Sequence, residues 1–113
     1  MLQDWSLLNT LQDAAAATGD GTPLETNNYG GAGISLTGTF TGTVTWEGTV
    51  DGTNWFAVPA TNRTSGTAAN TATATGIFFA ALPGITKFRA RISAYTSGNI
   101  TVKAIAVPVY SAL

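Results

Sequence analysis

Glu47 and Asp51 are the two acidic side chains placed closest to act as a pair, and they flank an Asp51-Gly52-Thr53-Asn54 turn rather than a cleft. Two carboxylates facing each other across a short gap are what glycoside hydrolysis requires. Here the residue order reads instead as a surface Glu and a turn Asp. The chain contains no His and no Cys, so the usual nucleophile–base pairs are missing and zinc would have to rest on carboxylates alone. The DGTN run shares its opening with a calcium loop, but no bidentate Glu follows at the required distance. The expectation is a protein without catalytic residues, cofactor or metal.

The cations are better organised. Lys87, Arg89, Arg91 and Lys103 are four of the five basic residues, and alternation puts them on the outer face of a C-terminal hairpin. With Thr96-Ser97-Gly98 as its three-residue loop, Arg91 would face Lys103 across the ladder. Like charges so placed repel mildly unless an anion bridges them. The stripe therefore reads either as a solvated face that resists edge pairing or as a docking stripe for acidic groups on a partner protein. No aromatics interleave with these cations, and a net charge of −1 offers phosphates no footprint. No nucleic-acid partner is expected. Asn62-Arg63-Thr64 and Asn99-Ile100-Thr101 match the glycosylation acceptor pattern, as chance allows in a chain rich in Thr and Asn.

The elements that position these residues are strands. Thr-Gly and Gly-Thr steps recur through residues 37–53; Thr is stiff at χ1 and favours extended backbone, while Gly admits bends and tight turns. Residues 43–50 alternate clearly, with Val44, Trp46 and Val50 on one face and Thr43, Thr45, Glu47 and Thr49 on the other. After the DGTN turn, residues 55–58 return; the loop length that decides which way Trp55 points is left open. Residues 22–26 form a short strand, 29–33 a glycine-rich loop, 59–75 a long surface loop with an edge strand at its end, and 77–82 an apolar strand. In the last hairpin Phe88, Ala90 and Ile92 point inward, as do Ile100, Val102, Ala104 and Ala106. Ile105 and Val107 remain apolar on the outer face, which calls for a bulge or a second cover such as another subunit.

Residues 1–18 stand apart as an N-terminal arm or short helix ahead of a domain over 19–113. Trp5, Leu7, Leu8 and Leu11 recur at roughly helical spacing, and Ala14 to Ala17 are good helix formers. A helix this short is marginal alone, and the competing reading is an extended arm. Either needs a surface, its own domain or a neighbour. At 113 residues the chain is one domain, and with 10% charged residues it suits life in an assembly. No signal peptide or bilayer-spanning stretch is read from the sequence, so no membrane partner is expected. Six to eight short strands at intervals of about ten residues predict an all-β fold, a β-sandwich or jelly-roll-like domain.

The run GTFTGTVTWEGTVDGTNWFAVPA and the later FRARISAYTSGNITVKAIAV resemble a group of small β proteins of tailed phages, some of which decorate (cement) capsids. The resemblance covers about residues 19–107. It implies a non-enzymatic virion protein, made in the host cytoplasm and located on the capsid surface. Its partner would be the major capsid protein, and it would form a small homo-oligomer, commonly a trimer. The interface residues expected under this reading are Trp5, Leu8, Leu11, Lys87, Arg89, Arg91 and Lys103. Separately, VDGTNWFAV resembles the strand turn of discoidin-type jelly rolls. That likeness implies a carbohydrate- or receptor-binding module of a tail or appendage, with Trp55, Tyr29 or Tyr95 as stacking platforms.

Overall fold

A computed structural model describes residues 8–108. They form eleven strands in two antiparallel sheets and no helix. The strands are β1 (Leu8–Ala15), β2 (Leu24–Glu25), β3 (Tyr29–Thr37), β4 (Phe40–Thr49), β5 (Trp55–Ala57), β6 (Ala60–Asn62), β7 (Ala68–Ala69), β8 (Thr71–Ala72), β9 (Gly76–Ala81), β10 (Lys87–Gly98) and β11 (Ile100–Pro108). One sheet has six strands in the order β1-β11-β3-β9-β6-β7. The other has five: β2-β10-β4-β5, with β8 also pairing β4. The all-β sandwich expected from the alternation is what forms, with more strands than the six to eight read from the sequence.

The inner faces close over one core. Trp46 is fully buried, its ring 5.2 Å from Phe78 and 6.2 Å from Phe88, centroid to centroid. Phe88, Ala90 and Ile92 enter from β10, and Ile100, Val102, Ala104 and Ala106 from β11, as their alternation dictates.

Four local expectations change. Residues 29–33 are strand, not loop: Ala32 enters the core, and the Phe79 ring covers Gly31 so closely that a Cβ there would lie 2.6 Å from its Cζ. The stretch over 59–75 contains three short strands, β6, β7 and β8. Residues 8–15 are extended, not helical, and form β1, which pairs with β11 at the edge of the chain's own six-stranded sheet. Most consequential, β10 and β11 do not pair. β10 stays on β4 as far as Gly98 opposite Phe40, and β11 starts at Ile100 between β1 and β3 in the other sheet. The last two strands form an arch across the sandwich, with Gly98 at φ 92° in its corner.

Candidate interaction faces

The outer face of the five-stranded sheet gathers most of the charge. Glu47 on β4 stands opposite Arg89 on β10. Arg89 donates from Nε and Nη2 to Oε1 of Glu47, both at 2.8 Å, while Arg91 Nε donates to Oε2 at 3.1 Å. Glu47 is 8% exposed. Asp20 joins because Gly19 exchanges two backbone hydrogen bonds with Ile92, setting its carboxylate 3.5 Å from Arg89 Nη1. Lys87 meets Glu25 at 3.7 Å at the exposed margin. Trp55 pairs with Thr49, so it lies on this outer face rather than beside Trp46, and the Arg89 guanidinium sits 4.1 Å above its ring.

This arrangement revises the cationic stripe. Lys87, Arg89 and Arg91 do share a face, but they interleave with Glu25, Glu47 and Asp20, so the cluster is a charge-balanced network. Arg91 stands opposite Thr45, not Lys103. Lys103 is exposed on the other sheet, between Thr10 and Ser35. The missed signal was Glu47: it shares the outward parity of the arginines, yet nothing in the sequence said that β4 and β10 are neighbours.

Of the remaining expected interface residues, Trp5 lies outside the described residues. Leu8 is 41% exposed at the start of β1. Leu11 is 1% exposed and belongs to the chain's own core. Leu11 follows outward Thr10, which stands opposite Lys103, and a bulge at Leu11 brings Gln12 opposite the inward Val102 as well. Gln12 is also buried, and its Nε2 donates to Ala90 O at 2.8 Å, bridging the two sheets.

Neither carboxylate considered for catalysis is idle. Asp51 Oδ1 accepts from the backbone N–H groups of Thr53 and Asn54, each at 2.8 Å, and Oδ2 accepts from Asn54 Nδ2 at 2.7 Å. The Asn54 and Thr53 amides, with the Asn54 side chain, hold the Asp51 carboxyl well below its ordinary value of 3.8. The loop between β4 and β5 spans residues 50–54, and Asp51 organises it.

Among the candidate stacking platforms, Trp55 is covered by Arg89, Tyr29 packs against the core, and the Tyr95 hydroxyl donates to Gly98 O at 2.7 Å. Three surface recesses accompany them. One of about 390 Å³ lies over Phe40, Thr41, Thr43, Thr73 and Thr96. Another, of about 210 Å³, is lined by Asn62, Ser65, Thr67, Thr71 and Phe78 among others. The third, of about 130 Å³, is apolar, between Val50, Phe56, Val58 and Ile85.

No family model matches the chain, and no curated protein matches it. Two solved structures share its fold. The SPBc2 prophage-derived protein YomS superposes with a TM-score of 0.80 at 17% identity, covering 88% of this chain and 89% of that one. The PBSX exported protein XepA superposes with a TM-score of 0.83 at 16% identity over 88% of this chain. The chain corresponds to 36% of XepA's length. At these identities the likeness is one of fold.

Proposed function

We propose that this protein is a non-enzymatic structural component of a tailed-phage particle. More specifically, we propose a decoration protein that binds the major capsid protein and stabilises the shell across subunit junctions, with no cofactor or metal. The observation that carries this reading is the match, over 88% of this chain and 89% of the other, to a prophage-derived protein. The resemblance of residues 19–107 to small β proteins of tailed phages, some of which decorate capsids, points the same way. Physically, a protein that binds only the assembled shell stabilises it by linkage, and broad sheet faces suit that task better than a deep cleft.

The test is stoichiometry. A decoration protein copurifies with intact particles in copies comparable to the major shell protein, and shells lacking it disrupt at lower temperature. Recovery in only a few copies per particle would place it on a tail, and its absence from particles would end the virion reading.

One observation favours a second reading, a carbohydrate- or receptor-binding module. Half-buried Phe40 borders an open groove of about 390 Å³ beside the side chains of Thr41, Thr43, Thr73 and Thr96. An aromatic ring among hydroxyls is a surface on which a sugar can stack and hydrogen-bond. Binding on a glycan panel that Phe40→Ala abolishes would support this reading; no binding across the panel would remove it.

A further inference from the structure

We infer that the outer face of the six-stranded sheet is a self-association surface, packing face to face on a second copy of this chain as a two-fold dimer. The inference goes beyond the virion reading and does not depend on it.

Register places the apolar residues in adjacent rows. One row runs Leu8, Ile105, Gly33, Phe79 and Thr61 across five strands. The next runs Val107, Gly31 and Ala81; the row on the other side runs Thr10, Lys103, Ser35 and Ile77. Directly opposed residues share a face, and the alternate residues Ile34, Phe78, Ala80 and Ala104 are buried in the core, so these rows point outward. Leu8 is 41% and Ile77 62% exposed, with Phe79, Ile105 and Val107 half-buried.

Charge separates the two outer faces. The five-stranded sheet carries the network of Glu47, Arg89, Arg91 and their partners, as expected of a solvated face. In the three rows on the six-stranded sheet the charged side chains are Lys103 and, at the margin where its N–H bonds Ile77 O just past β6, the exposed Arg63. An apolar sheet face of this kind calls for a cover, and an uncharged occupant suits it. A second copy offers such a surface without needing a complementary charge.

Relief and area point to the same occupant. Ile105 and Val107 form a ridge on β11 and Phe79 and Ile77 another on β9; the Phe79 ring leans over Gly31, so the furrow between the ridges stays open at Gly33. Two such faces related by a two-fold axis can set one ridge into the other's furrow, the isologous arrangement that closes a dimer. With strands about 4.8 Å apart and rows about 7 Å apart, the three rows together cover on the order of 400 Å², of which the apolar positions make up on the order of 270 Å². That is the size of an interface core, within the roughly 800 Å² per partner that a standard interface buries. Thr10, Ser35, Thr61 and Thr101 are placed to supply a polar rim.

The test is sedimentation velocity on the full chain from about 1 to 100 µM, where mass action separates monomer from dimer. The wild type is expected to dimerise, and Ile77→Lys to weaken dimerisation at least about 30-fold, as for a buried anchor. Phe56→Lys, altering an apolar group 70% exposed at the β4–β5 hairpin, is expected to leave it unchanged. Circular dichroism must show both variants folded; should Ile77→Lys not fold, Ile77→Ser takes its place. A wild-type monomer throughout the range, a trimer, or a dimer broken by Phe56→Lys and not by the Ile77 variant would each overturn the proposal. So would a monomer in which deletion of residues 1–7 speeds thiol labelling of Ile77→Cys, since the cover would then be the chain's own amino-terminal segment.

Discussion

Arg89 directs two nitrogens, Nε and Nη2, at a single oxygen of Glu47, each at 2.8 Å. Arg91 takes the other oxygen at 3.1 Å. One carboxylate thus compensates two guanidinium groups that alternation puts on the same face of β10. The Glu47 and Arg89 side chains are only 11% and 17% exposed, so they interact with little solvent screening.

Replacing Glu47 by Gln should therefore cost much more than replacing an exposed partner. Removing one member of a nearly buried pair leaves an uncompensated charge, and a loss of about 2–4 kcal/mol is expected. Glu25→Gln, at the exposed 3.7 Å contact with Lys87, should cost less than about 1 kcal/mol. Urea denaturation of the two variants makes the comparison; equal midpoints would contradict the account of the network.

The arch from β10 to β11 should depend on Gly98. Its φ is 92°, and an added Cβ would collide with the carbonyl oxygen of Thr39 and approach Phe40 Cα at 2.6 Å. Gly98→Ala is expected to destabilise by more than about 2 kcal/mol, since backbone conformation and space both oppose it. Gly52 has a similar φ of 82° but open space around it. Gly52→Ala should cost only the conformational strain, about 1 kcal/mol. Thermal melts of the pair distinguish the contributions.

Leu11→Ala should lose about 2–4 kcal/mol, the usual cost of emptying a buried leucine site. Leu8→Ala, at a side chain 41% exposed, should change monomer stability by less than about 1 kcal/mol. Deleting residues 1–12 should consequently destabilise the sandwich itself, because the deletion removes both Leu11 and the Gln12 bridge to Ala90. A truncated chain with an unchanged urea midpoint would refute this.

Asp51 predicts an acid limb. Its carboxyl sits below its ordinary 3.8 in the folded chain, so the folded state binds this proton less readily than the unfolded chain. The stabilisation is complete above that ordinary value and is lost as pH falls below it, through the folded-state pKa. Asp51→Asn should flatten the dependence of the thermal midpoint on pH in this acid range. A variant with the wild-type acid profile would show that the turn is not its source.

The alternation of apolar and polar residues by itself determined that this chain is all-β, and which face of its long strands turns inward. The exception is Val50, which was expected beside Val44 and Trp46 but lies past the end of β4 and is 67% exposed. Phe88, Ala90, Ile92, Val102 and Ala104 could be assigned before any partner strand was known, because side-chain direction repeats every two residues whatever lies alongside. The Asp51 turn was legible too, since Asp and Gly have local conformational reasons to be there. What only the tertiary structure decided is adjacency. A period of two is the same whether the next strand pairs as a hairpin or crosses to the opposite sheet. The sequence therefore could not separate Arg91 from Lys103, or join Arg89 to Glu47 from 42 residues away. Nor could it show that Gly31 and Gly33 form a strand between two apolar ridges: lacking side chains, they carry no alternation, and their conformation is set by the strands on either side.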